Sequence, residues 1–385
     1  TINKLFSQYD MNQQEDYAHL STAELHLISA FFAMEPLGFL IFLAKQVGGG
    51  TISEKVQKFV LDHCLLNLMD NENGNKLFLR NFLKKIIEDV EMGGGVVLDD
   101  LYEHCGLLMA LPENGGLYSG REPVCKYISF FPAYDSIEQS NRSLSSKLVV
   151  PLRCSLNMLE GDTGCSIWPS SLYLSEFILS YPDLFINKSC FEIGSGVGLV
   201  GICLSNVKVS SIILSDGDLS TLANLKANLD MNKVPYTEAN HNPERVKGAI
   251  NDNAKLQVLH LPWESASVSE LEQYRPDIIL AADVIYDPVC LPDLVRLLAT
   301  LLTTNHPCRS GIMNSDSPQI SNCRGAYIAS VIRNVNTFNY FMELSKEADL
   351  VVTDVTESLK PYNYVPYMRM FDRSNIRLCM VISMY

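Results

Sequence analysis

The sequence predicts an α/β fold, in which a mostly parallel sheet carries helices on both faces behind a mainly helical N-terminal region. From about residue 150, short β-branched runs alternate with helical stretches, which is typical of parallel strands joined by helices. Before residue 150, apolar residues recur at spacings of three and four, which predicts amphipathic helices. Hydrophobic residues make up 47% of the 385 residues, so the chain can form a large core.

The chain length predicts about two domains, because one domain usually contains roughly 100–200 residues. We place a mainly helical N-terminal domain, a candidate for substrate docking, at 1–150 and the second domain at 151–385. The predicted N-terminal helices are two short ones within 27–44 and longer ones over 56–68, 76–91 and 99–110. Glu35 and Pro36 break the first apolar segment at its middle, which argues against a membrane-spanning helix. The serine-rich residues 136–146 are predicted to form a linker.

The second domain is predicted to contain seven strands and four main helices. The strands are expected at 189–193, 211–215, 256–260, 277–281, 326–332, 350–355 and 376–383. The helices are expected at 199–205, 219–232, 291–303 and 337–348. No helical pattern separates the last two strands, so we expect them to pair in antiparallel fashion. Residues 305–323 are rich in Pro, Ser, Asn and Gly and are predicted to be an insertion.

The charge balance and the cysteines indicate which classes of partner and which cellular compartment to expect. Lys and Arg number 30 against 44 Asp and Glu, a formal net charge of -14, with no run of basic residues. Such a surface repels phosphate backbones, so nucleic acid is not expected as the main partner. The broken apolar segment at Glu35-Pro36 likewise gives no reason to expect a membrane. The eleven cysteines form no CxxC pair, so we expect thiols in a reducing compartment and no metal site. The polar segment 1–20 does not resemble a signal peptide, and the chain is therefore predicted to be cytoplasmic.

The clearest chemical signal is the glycine-rich segment 190–198, Cys-Phe-Glu-Ile-Gly-Ser-Gly-Val-Gly, which joins a strand to a helix. Its glycines allow the backbone to turn sharply and approach a ligand, and a helix N-terminus favours a carboxylate or phosphate. A dinucleotide fingerprint would need glycine at position 199, which is Leu199. Glu192 suits instead a ligand with an ammonium group. The combination resembles the S-adenosylmethionine site of seven-strand methyltransferases, although an ordinary strand-turn-helix could use the glycines for its turn alone.

Two further strand ends carry candidate cofactor contacts. Asp216, at the end of the second predicted strand, is placed to accept hydrogen bonds from both ribose hydroxyls. Asp218 is the second choice for that role, and it is alternatively the N-cap of the following helix. Trp263 follows the third strand, where its ring could stack on adenine and contribute about 1–3 kcal/mol, or could pack into the core instead.

The fourth predicted strand leads to Asp283 and Tyr286, which are candidates for binding the methyl acceptor. Enzymes that methylate amide or exocyclic nitrogens often have (Asp/Asn)-Pro-Pro-(Tyr/Phe) here, whereas this chain has Asp-Val-Ile-Tyr. A carboxylate and a phenol suit an amine better. A lysine amine has a pKa near 10.4, so about one molecule in several thousand is neutral at pH 7. We expect Asp283 to bind and orient the amine, Tyr286 to orient its lone pair, and water or Asp283 to take the proton. Alternatively, Asp283 only caps the turn after the strand.

Together these segments resemble one family, the eukaryotic elongation factor 2 lysine methyltransferases, which are related to the methyltransferase-like-21 enzymes. The resemblance covers about residues 56–385. The matching stretches are Thr163-Gly164, Trp168, 172–174, 192–199, Trp263, 276–277, 283–286 and Arg333-Asn334, with 82–85 and 98–103 in the helical front. The resemblance implies a Rossmann-like seven-strand methyltransferase sheet with an antiparallel last strand. It also implies methyl transfer from S-adenosylmethionine to a protein lysine, with elongation factor 2 as the protein partner.

The resemblance further implies which residues contact the cofactor: Trp168, Gly194, Ser195, Gly196, Trp263 and Ala282. The residues chosen from the glycine-rich segment and the second strand complete this predicted set: Glu192, Gly198 and Asp216. The chain departs from the family at two positions, because Pro169 and Pro262 stand where the family commonly has Asp. An acid that could receive the adenine amino group is therefore missing at position 262.

Two other functions remain open from the sequence. The first is methylation of a nucleic acid or a small molecule, and the net charge and the missing Pro-Pro motif count against its nucleic-acid version. The second is a non-catalytic module that binds S-adenosylmethionine without turnover. This second function is disfavoured by the intact residues Glu192, Gly194, Gly196 and Asp283, whereas Pro262 is consistent with it.

Overall fold

The computed structural model divides the chain into two compact units. One unit comprises Thr1–Asn157 with Asn363–Met370, and the other comprises Met158–Tyr362 with Phe371–Tyr385. The structure describes residues 19–65, 76–110, 123–131, 148–155, 162–239, 255–303, 324–361, 364 and 373–384. Of the helices in these ranges, none is long and apolar enough to span a membrane.

The first unit contains five α-helices within its described residues. They are α1 (Thr22–Phe32), α2 (Leu37–Val47), α3 (Glu54–Val60) continued by a π-helical turn (Leu61–Leu65), α4 (Lys76–Met92) and α5 (Asp99–Ala110). The predicted break at Glu35-Pro36 is confirmed, because α1 ends before it and Pro36 caps α2. The helices predicted at 76–91 and 99–110 are also confirmed. The helix predicted at 56–68 is present as far as residue 65, and its remainder lies outside the described residues.

The core of the first unit joins these helices through aromatic and aliphatic side chains. Phe31 of α1 and Phe82 of α4 lie 4.9 Å apart between ring centroids, and both are fully buried. The unit also contains an antiparallel pair of strands, β1 (Val124–Phe130) and β2 (Leu148–Cys154), which was not predicted. Pro151 interrupts the β2 pattern, and a proline lowers the strand signal of a sequence. The predicted linker 136–146 lies outside the described residues.

The second unit is built on an eight-stranded sheet of order β5-β6-β4-β3-β7-β8-β10-β9. Its strands are β3 (Ser189–Ile193), β4 (Ser211–Asp216), β5 (Tyr236–Glu238), β6 (Leu256–His260), β7 (Ile278–Ala282), β8 (Gly325–Val331), β9 (Leu350–Asp354) and β10 (Ile376–Ser383). Strand β10 runs antiparallel to β8 and β9, and the other neighbours are parallel. The predicted α/β class and antiparallel ending are confirmed, and β5 is a short edge strand added to the seven predicted ones.

Helices cover both faces of this sheet. They are α6 (Pro169–Ser180), α7 (Leu199–Ser205), α8 (Leu219–Met231), the single turn α9 (Val268–Leu271), α10 (Leu291–Leu302) and α11 (Val335–Glu347). One face packs against α10 and α11, with Phe191 and Ile279 in a common core with Phe341. The other face packs against the unpredicted α6, where Phe177 lies 5.2 Å from the Tyr327 ring. The insertion predicted at 305–323 lies outside the described residues.

The strand order reverses at β3. Strand β4 lies next to β3 on one side within the sheet, and β7, which comes later in the chain, lies next to β3 on the other side. In open α/β sheets, ligands bind outside the carboxyl ends of the strands at this kind of reversal. The segments after β3, β4, β6, β7 and β8 meet at this carboxyl edge, because these strands are parallel.

Candidate functional site

The glycine loop, residues 194–198, follows β3 at the reversal point. Its three glycines have left-handed backbones, with φ of 68° at Gly194, 52° at Gly196 and 85° at Gly198. Residues with a side chain rarely adopt this conformation, so the turn explains the glycines. Gly194 and Gly196 are half-buried, whereas Gly198 is buried and a Cβ there would lie 3.3 Å from Leu225 Cγ. The structure therefore places Gly198 in the packing against α8, while the other two glycines lie nearer the surface.

The end of β4 holds the glycine loop in place. The backbone N–H of Ser195 donates to the carbonyl of Ser215 at 2.9 Å, and that of Gly196 donates to Asp216 Oδ2 at 3.0 Å. The other carboxylate oxygen of Asp216 accepts from the N–H of Asp218 at 3.1 Å. Burial raises the pKa of Asp216, and these amides oppose the rise. Asp216 thus joins the loop to β4, and since each carboxylate oxygen has further acceptor capacity, the predicted ribose contact stays a prediction.

Asp218 is the N-cap of α8, which is the alternative role predicted for it. Its carboxylate accepts from the backbone N–H of Thr221 at 2.7 Å. These hydrogen bonds lower the pKa of Asp218, the largest cause being the bond from the Ser220 hydroxyl.

Glu192 lies in the interior directly before the glycine loop. It is 2% exposed, and its Oε2 atom is buried without a hydrogen-bond partner, as is the hydroxyl of Ser195. Burial raises the pKa of Glu192 well above its ordinary value, and the nearby charge of Asp216 raises it further. The Ser195 hydroxyl lies close enough to Glu192 to lower its pKa, although the geometry between them falls short of a hydrogen bond. Buried oxygens without a hydrogen bond are rare in folded proteins, so this pair suits a further polar partner. They fit a ligand or water bound at the loop, and direct contact of Glu192 with an ammonium group stays a prediction.

Trp263 begins a short 3₁₀ turn after β6 and lies beside the glycine loop. A Cβ on Gly194 would lie 3.7 Å from Cζ2 of the half-buried Trp263 ring and 3.1 Å from Val284 Cγ1. Arg296 of α10 fixes the turn, because its guanidinium donates to the carbonyl of Trp263 at 2.6 Å and to that of Ala266 at 2.7 Å. The ring contacts the core and the loop together, so the packing alternative and the predicted adenine contact are compatible.

Trp168 lies at the start of α6, whose first residue is Pro169. Its indole Nε1–H donates to the carbonyl of Thr163 at 2.9 Å. The guanidinium carbon of Arg333 lies 5.1 Å from the centroid of the Trp168 ring, which is within cation–π range. The half-buried indole is therefore held at its polar edge and covered on one face by a cation.

Asp283 follows β7 with a left-handed backbone, φ 54°, and its side chain is 4% exposed. Its Oδ2 accepts from the backbone N–H of Ser170 at 3.2 Å. Its Oδ1 accepts from the N–H of Val331 at 3.1 Å and from Arg333 Nη1 at 3.4 Å. The carboxylate thus joins the start of α6 to the ends of β7 and β8, and within the described residues it does not cap the turn that follows β7. Its contact with an amine stays a prediction.

The remaining predicted residues flank Asp283. Ala282 is the half-buried last residue of β7 and pairs with Ala329 of β8. Tyr286 lies on the surface and is 61% exposed. Its pKa is raised, chiefly by partial desolvation and then by neighbouring acidic groups that include Asp287, so the phenol keeps its proton at neutral pH.

The structure therefore brings most of the predicted residues to one edge of the sheet, and it adds residues that the sequence analysis did not assign. Arg333 lay in a matching stretch without a role, and Arg296 was not singled out. Arg333 and Asp283 are 50 residues apart, and nothing local in the sequence indicates that they meet.

Comparisons with known proteins agree with this geometry. Residues 150–316 match a family model described as Lysine methyltransferase. An uncharacterised protein of Dictyostelium discoideum is 35% identical over 225 residues, covering 56% of this chain and 58% of that protein. The human protein-lysine N-methyltransferase EEF2KMT is 30% identical over 182 residues, covering 47% of this chain and 49% of that protein. Its bovine counterpart is 27% identical over 269 residues, covering 69% of both chains.

The chain matches only about half of the length of these first two relatives. The chain spans 58% of the Dictyostelium protein and 49% of the human one. Among solved structures, the 16S rRNA N2 G1207 methyltransferase of T. Thermophilus in complex with AdoMet and guanosine is similar with a TM-score of 0.37 and 13% identity, covering 67% of this chain and 50% of that one. That likeness is distant, and the strand order defines the fold on its own.

The family match includes the glycine loop, both tryptophans and the end of β7. The predicted resemblance to lysine methyltransferases is thereby confirmed, and it supports S-adenosylmethionine as the cofactor. Residues 150–316 are therefore similar to the lysine methyltransferase family.

Proposed function

We propose that the chain transfers a methyl group from S-adenosylmethionine to the side-chain nitrogen of a lysine in a protein. The observation that carries the proposal is the match of residues 150–316 to the lysine methyltransferase family. That segment contains the left-handed glycine loop at the strand reversal and the Asp-Val-Ile-Tyr end of β7.

The residues of the carboxyl edge would hold the cofactor. Its binding surface would be the backbone of the glycine loop, the carboxylate of Asp216, the rings of Trp168 and Trp263, and Ala282. The fit is supported by the Trp263 ring beside the left-handed Gly194 and by the buried carboxylate of Glu192 directly before the loop. The bound cofactor supplies a methyl group on a positively charged sulfur, which is open to attack by a neutral amine.

The acceptor lysine must lose a proton before it attacks. Burial of the lysine side chain and a nearby positive charge both lower the pKa of its amine. The charge of Arg333 at this edge is offset by its ion pair with Asp283, and that carboxylate is already bonded to three donors. In this proposal water accepts the proton, and Asp283 holds the strand ends together. The exposed Tyr286 orients the amine. The nitrogen–carbon bond then forms as the carbon–sulfur bond breaks, and correct positioning supplies much of the rate.

We further propose that the substrate is elongation factor 2 and that the reaction occurs in the cytoplasm. The resemblance over residues 56–385 and the protein-lysine N-methyltransferases among the relatives support this substrate. The net charge of -14 disfavours a nucleic acid in its place. In this proposal the domain 1–150 docks the substrate and the domain 151–385 transfers the methyl group.

The test is transfer of radiolabelled methyl from S-adenosylmethionine into a cell extract by the purified chain, followed by gel separation and mass spectrometry. We expect one labelled protein, elongation factor 2, carrying methyl-lysine. A different labelled protein would keep the chemistry and reject the substrate. Label confined to RNA or small molecules would reject the lysine reaction. Cofactor binding without any transfer would favour a non-catalytic binding module.

A further inference from the structure

Arg333 connects two of the proposed site residues that come from distant parts of the chain. It follows β8 at the carboxyl edge, and its side chain is 43% exposed. Its guanidinium carbon lies 5.1 Å from the Trp168 ring centroid, and its Nη1 lies 3.4 Å from Asp283 Oδ1. One side chain therefore contacts both the aromatic wall and the carboxylate of the candidate site.

Arg333 adds a restraint on the face of the Trp168 ring to two hydrogen bonds made by the same residue. The indole Nε1–H is held by the carbonyl of Thr163, and the backbone carbonyl of Trp168 accepts from the Ser171 hydroxyl at 2.7 Å. The first hydrogen bond is at the edge of the ring, and the second is at the backbone of Trp168. The Arg333 guanidinium lies over the face of the ring, where it opposes rotation of the indole.

An arginine suits this position better than a lysine. Its planar guanidinium can stack on an aromatic face while its N–H groups reach a carboxylate. A lysine ammonium is a compact charge and cannot form the planar stack. Asp283 is itself fixed by the backbone N–H groups of Ser170 and Val331, so it is a rigid anchor for the arginine.

We propose that Arg333 is a positioning residue that holds the Trp168 ring against the cofactor by anchoring to Asp283. This inference rests on the proposed function, in which Trp168 contacts S-adenosylmethionine. Arg333 acts through Trp168 and does not itself touch the reacting atoms. Its removal should therefore weaken cofactor binding only as long as Trp168 is present.

The first test measures binding of S-adenosylhomocysteine, the product of the cofactor, by calorimetry. We expect Arg333→Met to weaken binding about three- to tenfold, the size expected for a cation–π contact of this exposure. Arg333→Lys should give a smaller loss, since it keeps the charge without the planar stack. In combination with Trp168→Leu, which has no aromatic face, Arg333→Met should add less than it does alone, because both changes remove the same contact. Arg275→Met serves as the matched control, since Arg275 is exposed before the opposite end of β7 and should leave binding unchanged.

The second test measures tryptophan fluorescence and needs no cofactor. The chain contains only two tryptophans, so replacing Trp263 leaves Trp168 as the single emitter. In a Trp263→Phe background, the fluorescence emission of Trp168 should change with Arg333→Met and be partly restored with Arg333→Lys. Additive losses in the double variant, or unchanged Trp168 emission in folded Arg333→Met, would overturn the inference and leave the proposed function intact. Failure of the wild-type chain to bind S-adenosylhomocysteine would instead overturn the proposed function and this inference with it.

Discussion

Replacement of Asp283 tests whether this carboxylate serves the fold as the structure indicates. In Asp283→Ala, the backbone N–H groups of Ser170 and Val331 lose their acceptor. A buried amide left without a partner costs about 1–3 kcal/mol, and the Ser170 amide is buried while the Val331 amide is partly buried. We therefore expect a loss toward the lower end of roughly 2–6 kcal/mol of unfolding free energy. The partly exposed Arg333 can bond to water instead and should add little.

Asp283→Asn separates the two carboxylate oxygens. The amide oxygen can replace Oδ1 or Oδ2 but not both, and the amide N–H₂ then faces an N–H donor. We expect about half the loss of Asp283→Ala, or roughly 1–3 kcal/mol. Denaturant unfolding followed by circular dichroism measures both values, with the slope of the transition as a check on two-state behaviour.

Asp277 offers the matched control at the opposite end of β7. Its carboxylate accepts from the backbone N–H and the hydroxyl of Ser189, both at 2.8 Å. Asp277→Ala should destabilise the fold but leave S-adenosylhomocysteine binding by the folded protein unchanged, whereas Asp283→Ala should weaken both. An Asp283→Ala variant within about 0.5 kcal/mol of the wild type would refute the structural role, because changes of that size are typical of ordinary surface positions. If that variant also lost turnover, Asp283 would be a catalytic residue instead.

Three further predictions follow from single contacts. Gly194→Ala and Gly49→Ala place a methyl group at the same φ of 68°, so both variants should lose about 1–2 kcal/mol of stability. Only the methyl group at position 194 meets neighbouring atoms, so only Gly194→Ala should weaken S-adenosylhomocysteine binding in calorimetry. Equal binding by the two variants would contradict the placement of the Trp263 ring beside the loop. Arg296→Met frees the Trp263 turn, and loss of ring stacking worth about 1–3 kcal/mol predicts about 5- to 150-fold weaker binding, with unchanged affinity as the contrary result. Burial raises the pKa of Glu176 from 4.5 to about 7 despite its Arg373 partner, so the folded state binds more protons than the unfolded state and stability should fall as pH rises from 4.5 to 7. Unfolding curves across that range should show a shallower fall in Glu176→Gln, and an identical slope would argue against a raised pKa.

The central sheet was largely predictable, because its signals are local. Each parallel strand is a short apolar run followed by a helical pattern, and five of these runs were placed within one residue of β3, β4, β6, β7 and β8. The turn after β3 was equally clear, since left-handed backbone at three alternating positions requires glycine. Local patterns failed for the β1–β2 pair and for α6, whose burial on nearly every side removes the amphipathic period that marks a surface helix.

The candidate site was predictable in its members but not in their partners. Residue type and position after a strand identified Asp216, Trp263 and Asp283, because parallel strands end at the same edge. Whether each carboxylate faces a ligand or a backbone amide depends on segments that are far away in the chain. Asp216 accepts from Gly196, and Asp283 accepts from Ser170 and Val331.

The order of residues along this chain thus sufficed for the fold class, the turn geometry of the glycine loop and the edge of the sheet where chemistry is expected. These properties depend on φ preferences and on hydrophobic periods of a few residues, which are encoded locally. The pairing of Arg333 with Trp168 and Asp283 appears only after β7 and β8 align and α6 packs on them. Hydrogen bonds and cation–π contacts act over a few ångströms, so their partners are settled by three-dimensional packing and not by separation along the chain.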